Sequence, residues 1–172
     1  EDAEQRQWDI MNHNAAAAKR MVERVATLPA ERRMVRLGSE MLQGYTEKNW
    51  IKWWQQKEIQ DHCAKIFAPV GETARHLDVK VSFHPGQFCC LSSVNPDIVE
   101  RSIEEFEYHV DMARWMGYGK TWHDGCKVNV HISGKHGPEG LLIFKQSIIL
   151  LCTSKKFVVP KDDSRSTCPN LM

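Results

Sequence analysis

Nothing in this chain is long and apolar enough to cross a bilayer. No run of about 18 apolar residues occurs, which excludes a membrane-spanning helix. Strong charge of either sign is also missing. The formal net charge is +1, so a blanket electrostatic grip on nucleic acid is not expected, although a local basic groove stays open. No Cys-x-x-Cys pair occurs among Cys63, Cys89, Cys90, Cys126, Cys152 and Cys168, which argues against a zinc ribbon. The opening Glu1-Asp2-Ala3-Glu4 is acidic and lacks an apolar signal core. We therefore expect an intracellular protein, cytoplasmic or nucleoid-associated in a bacterium or phage, whose cysteines are reduced thiols. Adjacent Cys89 and Cys90 are expected to fill core or loop space.

The 172 residues, 42% of them apolar, suffice for one domain with a real core. A helix is expected from Trp8 to Ala26, where Met21, Val22 and Val25 recur at helical spacing. Leu28-Pro29 stops it. Met34 to Gly38 reads as a short strand, Trp50 to Ala68 as helix with a kink or relay at Pro69, and Val79 to Phe83 as strand. Asn95 is the expected N-cap of a helix from Pro96 to Trp115, which Met116-Gly117-Tyr118-Gly119 ends. Lys127 to Ile132 is a strand, Gly134 to Gly140 a glycine-rich loop, Phe144 to Cys152 a helix, and Phe157 to Pro160 a further strand. This alternation is α/β, with a parallel sheet or part of a (β/α) barrel. Four strands cannot close an eight-stranded barrel, which takes about 250 residues.

Two histidines close neighbouring strands of this pattern. His84 ends Val79-Lys80-Val81-Ser82-Phe83-His84-Pro85-Gly86-Gln87-Phe88, and His131 ends Lys127-Val128-Asn129-Val130-His131-Ile132-Ser133-Gly134. In a strand–helix–strand unit both strands run parallel, so both imidazoles emerge at the face where α/β proteins build sites. Neutral imidazole is a common ligand for divalent transition metals, and a strand end holds it on rigid backbone. Pro85-Gly86 turns the chain sharply, so Gln87 and Phe88 project from the rim as an amide and a ring suited to probing a base stack. His109 is expected to pack a helix on the sheet, and His13, His62 and His76 to lie at the surface. His123 and His136 sit in loops that could border the site. Trp50, Trp53 and Trp54 are expected to pack a helix on the sheet, with their neighbouring lysines solvated.

These residues resemble the UV damage endonucleases of the UvdE type. The resemblance rests on Ser82-Phe83-His84-Pro85-Gly86-Gln87-Phe88, on the segment from Asn95 to His109, and on Val130-His131-Ile132-Ser133-Gly134. Arg36-Leu37-Gly38-Ser39-Glu40 is similar to an earlier Arg-x-Ser-Ser segment of that family. The resemblance runs from about Trp8 to Asp163. It implies a partial TIM (β/α)8-type barrel over residues 1–163, roughly the second to fifth βα units, and an irregular tail over 164–172. It further implies a DNA repair endonuclease that nicks DNA 5′ to UV photoproducts by metal-dependent phosphodiester hydrolysis, with UV-damaged double-stranded DNA as its partner. On this likeness His84 and His131 take metal-ligand positions for divalent ions, commonly manganese, while Gln87 and Phe88 take positions that contact the distorted duplex. The family commonly has Tyr where Phe88 stands. The complete protein would be a monomer.

The departures limit this reading. Phe157 to Asp163 resembles a strand end that carries Glu-Asn-Asp in the family, which sets Lys161 where a metal-bridging glutamate is expected. A protonated lysine repels metal, and Asp162 would point to the other face of a continued strand. Two histidines are too few for a multi-metal cluster, so this chain alone is expected to be incomplete or inactive as a nuclease. Other readings stay open: another metal-dependent barrel enzyme of the abasic-site endonuclease or sugar isomerase type, a non-catalytic damaged-DNA-binding remnant, or an inert fragment with aggregation-prone open strand edges.

Overall fold

The computed structural model describes residues 2–86, 88–121, 124–132, 136–151 and 157–162, with backbone alone for 132 and 159–162. Helix α1 spans Asp2–Val25, longer than the periodicity predicts because Asp2 and Glu4 favour its first turn. Strand β1 (Met34–Leu37) is followed by the short helix α2 (Ile51–Trp54), helix α3 (Lys57–His76), strand β2 (Lys80–Phe83) and helix α4 (Pro96–Trp115). Strand β3 (Lys127–Ile132), helix α5 (Gly137–Leu150) and strand β4 (Val158–Asp162) complete the order. The four strands form one parallel sheet in the order β1-β2-β3-β4. No described helix is long and apolar enough to cross a membrane.

Three local expectations need correction. The helix beginning near Trp50 breaks at Gln55-Gln56, although beyond that break it is relayed through Pro69 to His76 as expected. The break follows from burial: Trp53 and Trp54 are 7% and 1% exposed, held in a cluster with Trp8 and Tyr45. Pro69 lies on the exposed side of α3, where the carbonyl it leaves without an amide partner meets solvent. The glycine-rich loop ends early, because Gly137 to Gly140 already form the first turn of α5. His62 is half-buried, its ring against Trp8 at 4.6 Å and its Nε2 2.8 Å from Asn12 Oδ1.

Alternation along the strands makes the sheet two-faced. Val35, Leu37, Val81, Phe83, Val128 and Val130 are buried with the helices' apolar residues in one core. The alternate positions Arg36 and Lys80 are exposed, and Ser82, Asn129 and His131 are half-buried. Helix α4 begins as its sequence dictates, with Asn95 Oδ1 accepting the Asp97 N–H at 3.0 Å and Pro96 in the first turn. Gly71 is required by close packing: a Cβ there would lie 1.9 Å from the Met116 carbonyl oxygen. Cys63, Cys89 and Cys126 are buried free thiols, as expected, and Cys90 is half-buried, whereas Cys152 and Cys168 lie outside the described residues. The tail over 164–172 also lies outside them.

Candidate metal centre and nucleic-acid interface

His84 and His131 meet. Register pairs Ser82 with Lys127 and Phe83 with Val128, so His84, one residue past β2, comes level with Asn129 on β3. His131 follows two residues later on the same face. The two Nε2 atoms are 2.8 Å apart, and the ring centroids are separated by 4.5 Å with a 52° interplanar angle. The Asn129 carbonyl lies 3.1 Å from His84 Nδ1. A carbonyl only accepts, so Nδ1 carries the proton and the neutral ring's lone pair sits on Nε2, where the His131 Nε2–H donates to it.

That tautomer is the one a metal-binding imidazole adopts, with its far N–H given to a backbone carbonyl. His84 Nε2 therefore suits one ligand position of a divalent ion, and His131 Nε2 suits a second once the His131 proton moves to Nδ1. Among the described residues no group of three or more His, Cys, Asp or Glu is placed to hold a metal. The pair by itself offers two nitrogen donors. Register sets Lys161 of β4 opposite His131, so no carboxylate occupies that strand position.

Beside His84 opens a cleft of about 1270 Å³, lined among others by Arg36, Glu40, Lys48, Phe88, Arg101 and Glu105. Its rim mixes both charges, consistent with the chain's small net charge. Phe88 is 85% exposed, the most exposed large apolar side chain among the described residues. Gln87, its expected partner, lies outside the described residues, as do Ser133, Gly134 and His123. His136 occupies the N-cap position of α5 without a side-chain capping bond and does not line the cleft. His109 packs α4 on the sheet as expected: it is fully buried, with Nδ1 donating to the Glu105 carbonyl at 2.7 Å and its ring edge-on to Phe83.

Sequence reasoning missed Glu105 as a site residue. Its carboxyl lines the cleft, and burial pushes its pKa up to about 7. The available signal was its helical spacing of four from Arg101, which lines the same cleft. It also missed Tyr108, whose buried hydroxyl donates to the Ser39 carbonyl at 2.8 Å and accepts the Leu42 N–H at 2.9 Å. That bridge fixes the loop after β1 as a wall of the cleft.

A family model described as UV-endonuclease UvdE matches residues 1–169. The chain is 30% identical over 139 residues to a UV DNA damage endonuclease of Clostridium perfringens (strain 13 / Type A), covering 77% of this chain and 31% of that relative. It is 25% identical over 119 residues to a UV-damage endonuclease of Neurospora crassa, covering 67% of this chain and 18% of the relative. It is 31% identical over 84 residues to a UV DNA damage endonuclease of Bacillus mycoides (strain KBAB4), with shares of 46% and 25%. The chain thus spans about a fifth to a third of these curated relatives. The crystal structure of SacUVDE superposes with a TM-score of 0.77 at 22% identity, over 94% of this chain and 53% of that one.

Proposed function

This chain belongs to the UV-endonuclease UvdE family, and from that premise we propose that it supplies part of a barrel endonuclease that repairs UV-damaged double-stranded DNA. The reaction is a metal-dependent nick 5′ to the photoproduct. The observation that carries this reading is the convergence of His84 and His131 to 2.8 Å at the C-terminal ends of adjacent parallel strands.

His84 and His131 would hold a divalent ion, manganese in this reading. Such an ion supplies an activated water and positive charge beside a scissile phosphate. The chain's own residues do the rest. Asn129 fixes the tautomer of His84 through its carbonyl. Phe88, with Gln87 beside it in sequence, offers a ring to a disturbed base stack, where stacking is worth about 1–3 kcal/mol per base. Arg36 and Arg101 flank the cleft as donors for backbone phosphates. Glu105 releases and takes up its proton near neutral pH in the same cleft.

The rest of the metal's ligands come from polypeptide that completes the barrel, giving a monomer. Two features support that completion. Among the described strands β1 and β4 each pair on one side only, and α5 leaves Leu142, Ile149 and Leu150 at 58%, 72% and 65% exposure. A non-catalytic DNA-binding role is the second reading, favoured by the donor set of two.

The test is binding and nicking of an end-labelled duplex, UV-irradiated or not, in manganese. The 172-residue chain is expected to prefer the irradiated duplex without cutting it. A longer chain carrying further strand-end ligands is expected to nick 5′ to the lesion and to lose this on His84→Ala or His131→Ala. Equal binding to both duplexes, or nicking by the longer chain that survives both substitutions, would contradict the proposal. Preference for damage that chelator leaves untouched, with no nicking by the longer chain, selects the binding-only reading.

A further inference from the structure

Phe88 is 85% exposed, yet Cys89 directly after it is 3% exposed and Leu91, three residues on, is 0% exposed. The chain passes from solvent to core within one residue, and specific bonds hold it there. The Cys89 N–H returns to the Gly86 carbonyl at 3.0 Å. The Cys90 N–H donates to Ser102 Oγ on α4 at 2.7 Å, and the Cys89 thiol donates to the Ser102 carbonyl at 3.4 Å. From the other side, Ser147 Oγ on α5 donates toward the Leu91 carbonyl at 3.0 Å. Both serines are 1% exposed.

A helical serine ordinarily bonds only the carbonyl one turn back. Both do so here, Ser102 to Ile98 at 2.6 Å and Ser147 to Ile143 at 2.9 Å. Ser102 also accepts the Cys90 N–H, whereas the single Ser147 proton is shared between the Ile143 and Leu91 carbonyls. The Ser102 proton is committed to Ile98, which leaves its lone pair facing the Cys90 amide. Close approach of α5 to this loop is built in at Gly140, where a Cβ would lie 3.2 Å from the Ser92 carbonyl oxygen. Two helices thus grip the segment directly after the exposed ring. With the backbone directly after Phe88 held this way, less entropy is lost when the ring enters a base stack.

We propose that Ser102 and Ser147 are positioning residues that pre-organise Phe88 for reading damage. This rests on the reading of Phe88 as a ring that contacts the distorted duplex. The test uses the 172-residue chain with Ser102→Ala, Ser147→Ala, Ser102→Thr and Phe88→Ala. Two quantities are read: amide exchange over Phe88 to Leu91, and the ratio of affinities for one duplex with and without UV irradiation.

Ser102→Ala is expected to speed exchange at Cys90 and to lower the damage ratio about threefold to tenfold, the equivalent of one hydrogen bond. Affinity for the unirradiated duplex and its salt dependence stay unchanged. Ser102→Thr, which keeps the hydroxyl, restores both readouts. Should Ser102→Ala not fold, Ser147→Ala carries the same expectation from a separate helix. Unchanged exchange, or faster exchange with a wild-type ratio, overturns the positioning role while Phe88→Ala still lowers the ratio. A wild-type ratio in Phe88→Ala instead overturns the reading of Phe88, and the positioning role falls with it.

Discussion

Protonating His109 should cost the fold about 3 kcal/mol, and His109→Phe should abolish that cost. The ring is 0% exposed, lies 6.0 Å from Phe83 and 4.8 Å from Tyr108, and leaves Nε2 without a partner. Burial lowers its pKa from 6.5 to about 4; the hydrogen bond to the Glu105 carbonyl opposes this shift, and the nearby His84 adds to it. Between those two values the unfolded chain binds more protons than the folded one. Stability is therefore full above pH 6.5, falls as pH drops, and levels off below about 4. At 1.36 kcal/mol per unit the loss is about 3 kcal/mol, a large share of a typical domain's stability.

Glu105 works in the opposite direction. Burial raises its pKa from 4.5 to about 7, so stability falls as pH rises through that window. The two effects overlap, and the wild-type profile is flatter than either alone. Subtraction separates them. Urea unfolding followed by tryptophan fluorescence between pH 4 and pH 7 should show the gap between wild type and His109→Phe moving about 3 kcal/mol in the variant's favour as pH falls. The gap to Glu105→Gln should move the other way, in the variant's favour as pH rises. A gap to His109→Phe that stays constant across the window would refute the reasoning.

Gly71→Ala should destabilise by at least about 1–3 kcal/mol, since its Cβ would overlap the Met116 backbone and neither α3 nor α4 can yield cheaply. A midpoint shift in urea measures it. Asn95→Ala should cost about 1 kcal/mol through loss of the cap on α4, whereas Asn95→Asp should cost little, and thermal unfolding distinguishes the two.

The parts of the fold that the sequence makes legible are those governed by local period and capping. The alternation in β2 and β3, the Asn95-Pro96 start of α4 and the glycines after Trp115 each act within a few residues. Both histidines are legible for the same reason, since each ends a β-branched run. Non-local contacts are not legible. The break at Gln55-Gln56 comes from a tryptophan cluster assembled with α1, and His62 is half-buried because Trp8 of that helix meets its ring. The carbonyl that sets the tautomer of His84 belongs to Asn129 on another strand, and Ser102 grips Cys90 across a loop. Phe88 sits at the boundary: Pro85-Gly86 announces the turn, but the serines that bond the segment after it carry no pattern of their own.

Imidazole ¹⁵N resonances of the 172-residue chain, titrated with substoichiometric manganese, bear most directly on whether His84 and His131 form one metal-binding pair. The Nε2 signals of these two should broaden together, ahead of the other six of the chain's eight histidines, and His131→Ala should remove the effect at His84. Broadening that begins at exposed His13 and His76 and leaves the pair sharp would contradict the account.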